Sequence, residues 1–217
     1  MSTYPKSENT RRHIFETAWT LFLEKGYFST PLTDIAKAAD VSTGTVYRFF
    51  PSKSDFLFEK KRLSQKHLRE LAVQLPDDMP IVDKICTIAS ADLVTNYEHI
   101  NLSAADDGNS NPQIELALAL RSEPYKTPSH LKREEGYRQE LRSIYRMVLE
   151  AEQEMGRLRP EFDIEEACKI IVALYLESAD RNIMDGNLDI AAKMKPSLEV
   201  VFSWAITDAE NRREHQN

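Results

Sequence analysis

The stretch Val41–Leu57, VSTGTVYRFFPSKSDFL, decides how this chain is read. It opens with Ser42, Thr43, Gly44 and Thr45, none a strong helix former, then turns aromatic and stops at Pro51. Ser42 is read as an N-cap, because its hydroxyl can accept an orphan N–H of a first helical turn. Val46, Phe49 and Phe50 then form the inward face of a short helix that Pro51 interrupts. Immediately behind, Ser52 with Asp55 makes a start resembling a capping box. Phe56, Leu57, Leu63, Leu68, Leu71 and Leu75 carry the long helix that follows, to the turn PDDMP.

Upstream, Thr30 offers a cap oxygen and Pro31 a preset first turn, after which Leu32, Ile35, Ala36 and Ala39 recur at helical spacing. A first helix is expected from residue 8 or 9 to Lys25, with Ile14, Ala18, Leu21 and Phe22 on one face and Gly26 as its stop. Two short helices joined by a tight turn, the second polar at its N-terminus, make a helix-turn-helix arrangement. Such a second helix enters the DNA major groove N-terminus first, so its first turn must be slim. Gly44 removes a side chain where the approach is closest, and the free N–H groups there face phosphate. Thr43 and Thr45 can offer a hydroxyl to a base edge or a phosphate, and a methyl to a thymine. Tyr47 and Lys53 are expected to hold phosphate, fixing register without reading sequence. Arg48 can bond either phosphate or guanine. Thr33 and Thr30 are placed to touch the flanking phosphate; capping alone explains the hydroxyl of Ser42 and in part that of Thr30.

Charge supports a polyanion met at one end. The chain of 217 residues has a formal charge of −7, yet residues 1–75 carry twelve Lys and Arg against eight Asp and Glu, and the remainder sixteen against twenty-seven. A field that steers association is local, so the average conceals the basic segment.

The rest reads as helix without strand-like alternation, giving an all-α chain of about nine helices. Helices are expected from Ile81 to about Ile100, from Asn111 through IELALALR, from about His130 to Met155, and from Ile164 to Met184. A last stretch carries Leu198, Val201, Phe202 and Ala205 on one side, with Val200 and Trp204 on another. Polar breaks are expected at AADDGNSN, at SEPYKTPS and at Asp185-Gly186, and Pro196 is expected to break or restart the last helix. The helix EEACKIIVALYLESADRNIM is apolar on nearly every face and requires cover on two sides. With the last helix it can form half of a four-helix bundle completed by a second copy, or it can be the central helix of a monomer.

The ordered set Gly26-Tyr27, Thr30, Asp34-Ile35-Ala36, Ala39, Val41-Ser42, Gly44-Thr45-Val46-Tyr47, Phe50 and Lys53 resembles the DNA-binding region of the TetR family of bacterial transcriptional regulators. The resemblance covers roughly residues 10 to 58. Asp40 departs from it, standing in a turn where the family usually has glycine; Asp tolerates the left-handed backbone better than most residues. Pro31 stands where a polar or β-branched residue is common. Beyond about residue 60 the likeness is architectural only.

The resemblance implies a helix-turn-helix domain over residues 1–51, a connecting helix over 52–75 and a helical ligand-binding and dimerisation domain over 76–217. It implies a regulator, more commonly a repressor, that binds a palindromic operator on double-stranded DNA as a homodimer through the last two long helices. A small-molecule effector of unknown identity releases it, with the connecting helix as the mechanical link. Tyr97, Tyr137, Met147 and Tyr175 are candidate effector contacts, because pockets are mostly apolar with a few oriented polar groups.

An enzyme is the competing class. The five histidines His13, His67, His99, His130 and His215 are scattered and none precedes an Asp, and neither a phosphate-binding glycine loop nor a nucleophile elbow occurs. No cofactor or metal is expected. An adaptor of the same fold acting through protein partners is the other alternative. Cys86 and Cys168 lack metal-ligand spacing, and no apolar run approaches the ~20 residues that span a bilayer, so a soluble, cytoplasmic protein is expected.

Overall fold

The computed structural model describes residues 6–100, 111–185 and 189–207. Among them nine α-helices are found: α1 Lys6–Lys25, α2 Leu32–Ala38, α3 Thr43–Phe49, α4 Ser54–Gln74, α5 Ile81–Tyr97, α6 Pro112–Ser122, α7 Pro128–Glu154, α8 Ile164–Met184 and α9 Ile190–Phe202. A 3-10 turn, Glu123–Tyr125, stands between α6 and α7, and Leu158 and Ile206 form an isolated bridge. No helix among the described residues is long and apolar enough to cross a membrane. The polar break expected over 104–110 and the stop at Gly186 lie outside the described residues.

The chain divides into two compact units, each drawing on two stretches. The first takes Met1–Lys61 and His99–Arg133, the second Arg62–Glu98 and Glu134–Asn217. The described residues 111–133 group with the first unit. The helices α4 and α7 each contribute residues to both units.

In the first unit Ile14, Ala18, Phe22, Tyr27, Ile35, Val46, Phe50 and Phe56 form a dry core. Phe50 stacks on Phe56 at 4.0 Å between ring centres, and Phe22 meets Phe56 edge-on at 5.8 Å. This aromatic packing sets the end of α3 against the start of α4. Arg11 of α1 forks onto the buried Glu59 carboxylate at 2.7 and 3.2 Å, and its guanidinium lies over the Phe50 ring. The helix α6 packs on α1.

Several helix ends follow the sequence. Gly26 ends α1 at φ +90, and Asp40 takes the left-handed turn at φ +51. Ser42 accepts the Thr45 N–H at 3.1 Å, Asn111 accepts that of Gln113 at 2.8 Å, and the Ser52 N–H donates to Asp55 at 2.7 Å. Other ends correct it. Pro31, not Thr30, holds the N-cap position of α2, and no side chain caps that end. The helix α5 stops at Tyr97 rather than Ile100, because His99 turns left-handed at φ +66. The helix α7 begins two residues early because Thr127 Oγ1 accepts the His130 N–H at 3.1 Å and Pro128 suits the first helical position. Pro196 neither breaks nor restarts α9; it lies inside the helix, whose buried Ile190, Met194, Leu198 and Phe202 are held against α5 and α8. That packing outweighs the one backbone bond a proline removes.

Candidate nucleic-acid interface

The helix α3 is seven residues long and buries only Val46 within its span; Phe50, just past its end, is fully buried and Phe49 half-buried. Everything else on it is left partly or wholly open. Thr43 and Thr45 are half-buried, Gly44 and Arg48 are exposed, and Tyr47 is 51% exposed. Thr45 Oγ1 lies 2.8 Å from Ser42 Oγ, so the cap and this threonine share a hydroxyl pair at the helix tip. The Arg48 guanidinium rests on the Phe49 ring at 4.7 Å.

Gly44 is the informative residue of this face. A Cβ there would meet nothing nearer than the Ser42 hydroxyl at 3.8 Å, and its φ does not lie in the left-handed region. Neither the packing nor the backbone of the chain requires glycine at this point, although glycine costs a helix about 1 kcal/mol against alanine.

The threonines of α2 part company. Thr33 is exposed on the first turn of α2. Thr30 is fully buried, and its hydroxyl donates to the Gly26 carbonyl at 2.8 Å, closing the end of α1. The expectation that Thr30 touches phosphate is corrected on that ground: its oxygen satisfies an orphan helix carbonyl and faces no solvent.

Lys53 also has an internal task that the sequence did not reveal. Its ammonium donates to the Phe28 carbonyl at 3.1 Å and the Thr30 carbonyl at 3.3 Å, and lies 4.8 Å from the centre of the Tyr27 ring. Burial holds its pKa below the ordinary lysine value, with Lys126 acting in the same direction and Glu115 and Glu123 opposing. The lysine is thus a strut for the turn before α2. A phosphate would take only its remaining N–H.

The segment from α6 to the start of α7 reinforces the same region. The Glu115 carboxylate accepts the Phe28 N–H, and Lys126 lies over the Phe28 ring at 5.2 Å. His130 bridges Ser54 Oγ at 3.1 Å and the Glu123 carbonyl at 2.8 Å, while Arg133 donates to Asp55 at 2.6 Å. Asp55 is held below its ordinary pKa: burial pushes it up, but the Ser52 hydroxyl, Arg133 and the Ser52 N–H outweigh that. The contacts of Glu115 and Lys126 with Phe28, of His130 with Ser54 and of Arg133 with Asp55 join positions far apart, so no local pattern in the sequence shows them.

Of the four effector candidates, all in the second unit, the structure groups three. Tyr137 and Tyr175 are buried and both bond the Asp92 carboxylate, and Tyr97 is buried within electrostatic reach of Tyr175. Met147 stands apart, lining an open cleft of about 180 Å³ with Val73, Lys84 and Glu152. Sequence reasoning passed over Asp92 and Asn96. Their signal was available: two polar residues four apart inside the apolar run IVDKICTIASADLVTNY. Among the described residues no group of three or more His, Cys, Asp or Glu could hold a metal ion.

The family model described as bacterial regulatory proteins, tetR family, matches residues 14–59, which span α1 to the start of α4. The chain carries a TetR-family DNA-binding domain. Over 78 residues, 36% of each chain, it is 38% identical to the HTH-type transcriptional regulator AcrR of Shigella flexneri. Over 166 residues, 74% of each chain, it is 28% identical to the HTH-type transcriptional repressor KstR2 of Rhodococcus jostii. The matched stretch spans about a third of the length of the first curated relatives. In fold the TetR likeness extends much further. The crystal structure of Thermus thermophilus FadR, a TetR-family transcriptional repressor in complex with lauroyl-CoA, superposes with a TM-score of 0.62 at 23% identity, over 88% of this chain and 93% of that one.

Proposed function

We infer that the chain is a DNA-binding transcriptional regulator, acting as a repressor, that binds a palindromic operator as a homodimer and is released by a small molecule. The observation that carries this reading is α3, whose open face of Thr43, Gly44, Thr45, Tyr47 and Arg48 contributes little to the chain's own core. Thr43 and Thr45 approach base edges, Tyr47 and Thr33 hold phosphate, and Arg48 does either. The relatives named above are regulators of transcription. Such a protein meets its operator in the cytoplasm.

Homodimerisation is supported by the second unit. On α8, Ile170 is exposed and Ala173 with it; near the end of α9, Val200 is 74% and Trp204 54% exposed. An apolar strip of this kind is what a two-fold interface buries. The effector reading is supported by the lauroyl-CoA complex of the Thermus protein and by α4 and α7 contributing residues to both units here.

Fluorescence anisotropy on palindromic fragments from upstream of its own gene tests the regulator. Binding that falls steeply with salt is expected, because phosphate contacts release counterions. Absent or salt-independent binding to every fragment overturns it. Sedimentation of a monomer at micromolar concentration overturns the dimer.

A further inference from the structure

The cleft that Met147 lines lies wholly within the second unit. Ala72 and Val73 near the end of α4, Met147, Val148 and Ala151 of α7, and Met155 just past α7 give it apolar walls around a volume of about 180 Å³. Val73 is 74% exposed and Met155 45%, so apolar side chains stand open to water here. The thioethers of Met147 and Met155 are polarisable and change rotamer easily, which suits them to a small body of irregular shape. A cavity of about 150 Å³ holds benzene, so a molecule of that size or slightly larger fits. Asp77, Lys84 and Glu152 also line the cleft. Lys84 and Glu152 are more than nine-tenths buried, which sets them at its floor.

That floor keeps one hydrogen-bond donor and one acceptor in reserve. Lys84 Nζ donates to Glu152 Oε1 at 2.7 Å and, weakly, to the Asp77 carbonyl at 3.4 Å. An ammonium has three N–H groups, and among the described residues no partner takes the third. Glu152 Oε1 accepts a second bond from Arg157 Nη2 at 2.7 Å, whereas Oε2 accepts only Arg157 Nε, at 2.6 Å. A carboxylate offers about four lone-pair sites, so one on Oε2 stays open. The two open positions belong to groups already bonded to each other, and one small group can reach both. Charge at the cleft is balanced: Lys84 and Arg157 stand against Glu152 and the exposed Asp77. An ion of either sign entering there meets a like charge as well as an opposite one.

We propose that this cleft binds a small uncharged alcohol. The hydroxyl accepts the third Lys84 N–H and donates to Glu152 Oε2, and the hydrocarbon body lies against Val73, Met147 and Met155. A ketone can take the first bond but has no proton for the second. An ammonium adds a cation beside Lys84 and Arg157, and a carboxylate adds an anion beside Glu152. An occupant that displaces water from the cleft without an oxygen of its own leaves the Lys84 N–H unbonded. As an effector the alcohol rests on the regulator reading; its binding to the free chain does not.

Methionine-methyl NMR on the full chain without DNA tests it, with cyclohexanol, cyclohexanone, cyclohexylammonium and cyclohexanecarboxylate as probes that share one body. Cyclohexanol is expected to shift the methyls of Met147 and Met155 and to leave that of Met194, fully buried in α9, in place. It should bind at least about threefold more tightly than cyclohexanone and about tenfold more tightly than either ion. Ala151→Phe, at an exposed position on the cleft, fills it without breaking a hydrogen bond and is expected to lower cyclohexanol affinity about tenfold. Lys84→Met leaves Glu152 paired with Arg157 and is expected to weaken cyclohexanol severalfold, with circular dichroism reporting the fold. Equal or tighter binding of cyclohexanone or of either ion, shifts confined to other methionines, no shift with any probe up to about 10 mM, or unchanged affinity in Ala151→Phe or in folded Lys84→Met overturns the proposal. Operator binding measured without any alcohol is independent of these outcomes, so failure here and failure of the regulator reading are told apart.

Discussion

The carboxylate of Glu115 accepts the backbone N–H of Phe28, 87 positions away, and its oxygens lie 2.8 and 2.9 Å from where a Cβ on Gly26 would stand. Helix α6 thereby holds the turn that leads into the helix-turn-helix. Replacing Gly26 by Ala strains a backbone at φ +90 and displaces the carboxylate from Phe28. A loss of about 1–3 kcal/mol is expected in urea unfolding. In a Glu115→Ala background the same change should cost less, since the contact is already gone.

Stability and DNA binding should separate at α3. Gly44→Ala is expected to raise stability by up to about 1 kcal/mol, because a better helix former enters open space, while operator affinity falls. Tyr47→Phe, at a half-exposed ring, should leave stability within about 0.5 kcal/mol and weaken binding about fivefold. Parallel urea and anisotropy titrations check both; a joint fall in stability and binding contradicts the assignment.

These two cases mark how much was legible. Periodicity, caps and the proline and glycine stops placed nearly every helix, because those signals act over three or four residues. The identity of α3 as the exposed helix followed from its small residues. Thr30 was misplaced because a hydroxyl before a helix can cap forward or bond backward, and only the fold decides. Lys53 and Glu115 meet the Phe28 turn through contacts across 25 and 87 positions, which no local pattern encodes. Tyr137 and Tyr175 are legible as aromatics, but the Asp92 carboxylate they share is not, since one Asp in a helix looks like a solvated one until its burial is known.

A second electrostatic knot should dominate stability in the second unit. Glu152 accepts Lys84 at 2.7 Å and Arg157 at 2.6 and 2.7 Å, and all three are at least nine-tenths buried. Glu152→Ala leaves two buried cations facing each other, and about 3–5 kcal/mol is expected to be lost in urea unfolding. Replacing Lys195, whose bond to Asp83 is exposed, should change little.

The thiols should be silent in the native protein. Burial pushes Cys86 up to about 11 and Cys168 up to about 12, with Asp83 adding to the first. A disulfide reagent at pH 8 is expected to react with neither until denaturant is added, then with both. Because the folded chain keeps these protons while the unfolded chain loses them near the ordinary value of 9.0, stability should fall as pH rises above about 9. Replacing both cysteines by alanine should remove the part of that fall that begins near pH 9 and leave the part that the buried Tyr27, Tyr137, Tyr145 and Tyr175 add above their ordinary value of 10.0.

The interleaving of the two units has a consequence for synthesis. The first unit needs residues up to Arg133, and the second resumes at Glu134 after starting at Arg62. A ribosome making this chain from its N-terminus delivers all three helix-turn-helix helices long before α6, Lys126, His130 and Arg133 that brace them. The DNA-facing part therefore waits, incompletely supported, until well over half of the polypeptide has emerged, and a message truncated before that point yields α3 without its brace.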